Sequence, residues 1–112
     1  MAPYGQVDNK STPRNLWQAG LVFLLPAAIA LAAYLKTIAP GVYFSDTAEL
    51  QRVAFTMQLP HPTGYPLYIL LGRLWLLAFS HGSVAWRMNL LSAIYASLAV
   101  GAISLLVYQL AK

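Results

Sequence analysis

Three carboxylates serve the whole chain, and two of them, Asp46 and Glu49, stand three residues apart in "FSDTAELQRVAF". The third, Asp8, lies in a polar N-terminal stretch. An acid presented at a water–lipid boundary can take a proton from an acceptor hydroxyl or hold a divalent cation. The same pair also reads as a helix start. Asp46 at the N-cap accepts backbone N–H groups and Glu49 at N3 reaches back, a capping box with Asp in place of Ser or Thr. The two readings are compatible, because a capping acid is a rigidly placed one. Downstream, "LPHPTGYP" sets prolines at 60, 62 and 66 around His61 and Gly64, which predicts a sharp chain reversal. His61 is either a turn residue bonded to backbone or a ligand and proton carrier beside Asp46. Arg73, Arg87 and Asn89 make a third polar set, read as side chains reaching toward lipid headgroups. Arg87 is equally able to meet a lipid phosphate through paired, charge-assisted hydrogen bonds.

These few polar residues sit in a chain that is 59% hydrophobic and 9% charged, against about 25% charged in ordinary soluble domains. Mean hydropathy is +0.59. A soluble domain of 112 residues has too much surface for its volume to bury such runs, which makes lipid the expected solvent. The seven Lys and Arg residues, giving a net charge of +4, are scattered singly. Without a basic cluster or an aromatic-interleaved stripe, no nucleic-acid partner is expected. The absence of cysteine rules out disulfides, thiolate catalysis and Cys-ligated zinc.

The elements that must position the acids follow from the apolar runs. Residues 1–15 read as a polar tail. Residues 16–35, "LWQAGLVFLLPAAIALAAYL", hold no charge over twenty positions, about 30 Å of helix, enough to span a bilayer. Trp17 and Tyr34 stand near its two ends, where an aromatic belt falls, and Pro26 is a candidate kink. The small residues of "AIALAA" would also suit signal-peptide cleavage, but the run is longer than a usual h-region and a second membrane segment follows. Residues 90–110 are again uncharged and predict a second spanning helix. Ala93, Ser97 and Gly101, four apart, give it a face that expects a partner helix at close range.

Between the spans, residues 46–58 carry Leu50, Val53, Ala54 and Met57 at helical spacing, an apolar stripe expected to rest on the membrane surface. Residues 65–79 are apolar nearly all round but short, with Arg73 at the centre. A central arginine costs about 2.5–3.5 kcal/mol on insertion, which favours a second surface helix over a third span. Two spans place Lys10, Arg14 and Lys112 together on the cytoplasmic side and residues 36–89 on the exterior or periplasmic side. The expected fold is an all-α membrane protein: two spanning helices joined by an exterior loop that carries two juxtamembrane helices.

The order of these pieces is similar to a known pattern. One spanning helix, then "FSDTAEL", then "HPTGYPLYILLGRLW", then "GSVAWRMNLLSAIYASLAVGAISLLVYQL" resembles the N-terminal part of the membrane-embedded glycosyltransferases of the GT-C fold. Within that fold it looks like a bacterial domain-of-unknown-function family related to transmembrane protein 260, a eukaryotic protein O-mannosyltransferase. The resemblance runs from about Trp17 to Lys112, and its motifs are specific in combination rather than singly. It implies transfer of a sugar from a polyprenyl-phosphate carrier to an acceptor on the exterior face, with Asp46 as the essential acid. Glu49, His61 and Arg87 carry over as site-proximal candidates. The resemblance leaves a divalent metal open, without a complete ligand set. Thr47-Ala48 stands where bacterial relatives commonly show Ser-Gly or Thr-Gly, a departure that touches neither acid.

The resulting expectation is the N-terminal portion of a lipid-linked-sugar glycosyltransferase, truncated and inactive alone, in the bacterial inner membrane. Its partners would be membrane lipid, the lipid-linked sugar and other transmembrane helices. The competing expectation is a small two-helix subunit that docks on a larger membrane complex through its Ala93/Ser97/Gly101 face, with Asp46 only a cap.

Overall fold

A computed structural model describes residues 15–42, 46–58 and 65–111. The described residues contain four helices and no strand: α1 (Leu16–Thr37), α2 (Asp46–Thr56), α3 (Pro66–Ala78) and α4 (Val84–Leu110). This is the all-α architecture expected from the apolar runs. α1 and α4 are each long and apolar enough to cross a membrane, while α3 is a shorter apolar helix. A core helix of a soluble protein would be buried, yet Ala27 is the one buried residue of α1. Leu21, Leu24, Leu25 and Ile29 are each more than half exposed, a surface that suits lipid rather than water.

α1 and α4 run antiparallel. At one end the Tyr108 hydroxyl donates to Gln18 Oε1 (3.3 Å). Midway, Gly101 lies against Phe23 and Ala27 so closely that a Cβ there would stand 2.8 Å from the Phe23 carbonyl oxygen. At the other end the Asn89 amide reaches the backbone just past α1. Ala93, Ser97 and Gly101 are buried. Their small side chains let the backbones approach, and the buried Ser97 hydroxyl is satisfied by the Ala93 carbonyl (2.7 Å) within its own helix. The face expected to receive a foreign helix therefore receives α1. This corrects the docking-subunit expectation, which required that face to be available.

α2 and α3 pack on each other and on the first turns of α4, whereas α1 touches α4 alone among the described helices. Ala54, Leu76, Met88 and Leu91 form their buried core, with Tyr68, Trp75 and Val84 packed around it. Gly72 makes the contact possible, since a Cβ there would meet Met88 Cε at 2.8 Å and Ala54 Cβ at 3.0 Å. The stripe assigned to the membrane surface thus turns the other way. Val53 and Ala54 are the least exposed residues of α2, and Ala54 packs on Gly72 of α3 and Met88 of α4, while Met57 lies past the helix end at φ 56°. Side-chain spacing identifies an apolar face but not what covers it.

α4 begins at Val84, six residues before the uncharged run at Leu90. Ser83 caps it, its hydroxyl accepting the Trp86 N–H at 3.2 Å. At 27 residues it is about 40 Å long, more than a hydrocarbon core requires. Its first turns are free to serve as the third wall of the α2–α3 bundle.

Candidate functional site

Asp46 is the first residue of α2 and Glu49 also falls in its first turn. The helix therefore counts Asp46 one position inside the N-cap that the spacing suggested, a difference within the usual variation of helix ends. Both acids lie where the helix dipole favours negative charge. Asp46 is exposed and Glu49 half-buried. His61 lies outside the described residues.

The arginines have tertiary partners. Arg73 Nη1 donates to the Phe55 carbonyl (2.7 Å), and its guanidinium lies 5.8 Å from the Phe55 ring centroid. It ties α3 to the last turn of α2, where headgroup contact was expected. Arg87 is half-buried; its Nη1 donates to the carbonyls of Phe79 (2.6 Å) and Leu76 (3.0 Å). These are orphan acceptors at the C-terminal end of α3, and a cation is favourable there. In return the Trp75 indole N–H donates to the Arg87 carbonyl (2.9 Å), and Trp75 stacks on Phe79 with centroids 5.2 Å apart. Arg87 Nε is buried without a partner.

A second polar group was not legible as such in the sequence. Gln51 Nε2 donates to Asn89 Oδ1 at 2.8 Å. Asn89 Nδ2 donates to the carbonyls of Ala39 (3.0 Å) and Gly41 (3.4 Å). Burial raises the Tyr68 phenol above its ordinary pKa of 10.0, against the lowering effect of its hydrogen bond with Ser92, so the group stays neutral. Beside α2 a largely apolar cleft of about 240 Å³ opens between Ala48, Arg52 and Phe55 and the first turn of α4, Val84 and Ala85. Asp46 is about 200° round the helix from Ala48, so the acid and the cleft occupy different sides of α2. Among the described residues no three His, Cys, Asp or Glu side chains come together as metal ligands.

The N-terminal domain of protein O-mannosyl-transferase TMEM260 is the family that matches, over residues 46–112. The chain belongs to the TMEM260 protein O-mannosyl-transferase family. The mouse protein O-mannosyl-transferase TMEM260 is 30% identical over 98% of this chain, which spans 16% of the mouse protein. The Dictyostelium discoideum protein O-mannosyl-transferase tmem260 is 38% identical over 67% of the chain, which spans 9% of that protein. No solved structure matches. The TMEM260 match begins at Asp46, so both acids, α2, α3 and α4 fall inside it. With two candidate spans and this family, the chain is a membrane protein.

Proposed function

We propose that the chain forms the N-terminal portion of an integral-membrane glycosyltransferase that moves a sugar from a polyprenyl-phosphate carrier to a protein or glycan acceptor. The relatives' names make mannose the first sugar to test and a protein hydroxyl the first acceptor. The observation that carries the reading is the placement of Asp46: exposed, at the start of a helix whose other flank is locked into the α2–α3–α4 core. Such an acid is fixed in position yet open to substrate.

In this role the Asp46 carboxylate accepts the proton of the acceptor hydroxyl as that oxygen attacks the anomeric carbon. The bond from that carbon to the phosphate oxygen breaks, polyprenyl phosphate leaves with the electron pair, and the anomeric centre inverts. Glu49, His61 and Arg87 are the further site-proximal candidates, with Arg87 acting through the end of α3 that its guanidinium holds. Residues 36–89 face the exterior, the periplasm if the host membrane is a bacterial inner membrane, because Lys10, Arg14 and Lys112 then lie together inside.

The test is Asp46→Asn in the full-length protein, assayed with mannosyl-phosphoryl-polyprenol and a Ser/Thr peptide. Removing a general base is expected to lower transfer about 10²–10⁴-fold, with membrane insertion unchanged. Transfer at the wild-type rate refutes the assignment.

A further inference from the structure

Gln51 and Asn89 lie 38 positions apart in sequence and meet at the junction of three segments. Their orientations are fixed by elimination. The Ala39 and Gly41 carbonyls only accept, so the amide nitrogen of Asn89 must face them. That turns Asn89 Oδ1 toward α2, where only a donor fits, so Gln51 presents Nε2. Gln51 Oε1 is left pointing elsewhere, buried and without a partner, on a residue only 4% exposed. An apolar side chain of the same size would remove that unmet acceptor. The unmet acceptor costs stability, so what Gln51 contributes here is its directed bond to Asn89 rather than packing.

We infer that Gln51 and Asn89 are positioning residues for Asp46, a clamp that registers α2 against α4 and against the segment leaving α1. The inference rests on the proposed catalytic role of Asp46. Gln51 is five residues along α2 from Asp46, about 7.5 Å of helix, so fixing one fixes the other. Elsewhere α2 is held by the Arg73 bond to the Phe55 carbonyl at its C-terminal end, nine residues from Asp46, and by small or flexible contacts, Ala54 against Gly72 and Met88. The Gln51–Asn89 bond adds a second directional tie nearer Asp46, and Asn89 is itself oriented by the Ala39 and Gly41 carbonyls. A displacement of about 1 Å at a reacting group is worth about 10²-fold in rate.

The experiment uses the full-length protein in nanodiscs, with mannosyl-phosphoryl-polyprenol and a Ser/Thr peptide as substrates. Asn89→Leu, Gln51→Met and the double variant are compared with wild type and with Asp46→Asn. Gln51→Met keeps side-chain length and removes the unmet acceptor, so it keeps the comparison open if Asn89→Leu does not accumulate. The expected result is a kcat lowered about 10–100-fold, a KM changed less than about twofold, and a double variant no worse than the worse single. Spin labels at Thr47→Cys and Ala99→Cys, both exposed positions, report the placement of α2 directly once any cysteine outside these 112 residues is replaced by serine. Their narrow distance distribution should broaden or shift in each clamp variant.

Unchanged kcat, or an unchanged distance distribution, overturns the clamp. If Asp46→Asn is inactive while the clamp variants match wild type, the clamp fails and the catalytic reading stands. If Asp46→Asn transfers sugar normally, the catalytic reading fails and with it the positioning role, whatever the labels report.

Discussion

The α1–α4 seam allows a prediction in which two glycine-to-alanine changes have opposite signs. At Gly101 an added Cβ would sit 2.8 Å from the Phe23 carbonyl oxygen, 3.1 Å from Ala27 Cβ and 3.2 Å from Phe23 Cδ2. Two of the obstructing atoms are backbone or Cβ and cannot swing aside, so the helices must part by about 0.6 Å to restore ordinary contact. A gap of that size forfeits a quarter or more of the dispersion attraction across the seam. Lipid supplies no hydrophobic drive to hold the helices together, so the loss is not made up elsewhere. Overpacking of this kind costs about 1–3 kcal/mol. Gly20, also within a spanning helix, has nothing within 4 Å of where a Cβ would stand. Gly20→Ala should gain helix propensity, about 0.5–1 kcal/mol. The same propensity gain acts at Gly101, so it cancels when the two variants are compared. Gly101→Ala is expected to be less stable than Gly20→Ala by about 1–3 kcal/mol, and Gly101→Leu less stable still. Reversible unfolding by SDS titration in mixed micelles, followed by far-UV circular dichroism, measures the difference. Equal stability of the two alanine variants would refute the close-packed seam.

Two further outcomes follow from local geometry. Ser83→Ala removes the cap on the Trp86 N–H and should lower stability by about 1 kcal/mol in the same titration. Gly82→Ala should cost about 1–2 kcal/mol, because Gly82 holds φ 89° and its Cβ would stand 2.9 Å from Trp86 Cε3. For topology, Thr47→Cys and Ser80→Cys are exposed sites on either side of α3 in a chain with no native cysteine. A membrane-impermeant maleimide should label both from the same side; labelling from opposite sides would make α3 a third span.

The long helices were legible because a bilayer demands a property visible in sequence alone, about twenty uncharged residues in a row. α3 was legible for a local reason as well. Pro66 is its first residue, where the missing N–H removes no helical bond. A close helix contact at Ala93, Ser97 and Gly101 was legible too, but the sequence hid the partner in each tertiary contact. Arg73 and Arg87 looked like lone cations near lipid, yet both donate to backbone carbonyls of a neighbouring helix, at separations of 18, 11 and 8 residues. Those bonds exist only after α3 has folded back beside α2 and α4. Gln51 gave no signal, since a glutamine next to Arg52 reads as an exposed face and only burial against Asn89 reveals it. The direction of the α2 stripe failed for a related reason. A period of 3.6 locates an apolar face, but lipid and protein are equally good partners for Val53 and Ala54.

The continuity of α4 connects these observations. Its first turns, from Val84 to Leu91, supply Ala85, Met88, Asn89 and Leu91 to the α2–α3 bundle, and its later turns supply Ala93, Ser97 and Gly101 to the seam with α1. Among the described helices α1 packs on α4 alone, and the segment leaving it meets Asn89 through the Ala39 and Gly41 carbonyls, so α4 is the helix that α2 is set against. An uncharged run measures the part of this helix that needs lipid, and for that reason it stops at Leu90 while the helix starts at Val84. The six residues between them are where a membrane anchor becomes a scaffold. They include Arg87 and Asn89, the two side chains that hold the end of α3 and the flank of α2. Asp46 is thereby tied to α4 through the Gln51–Asn89 bond, which suits the role proposed for it, meeting a lipid-borne substrate at constant depth.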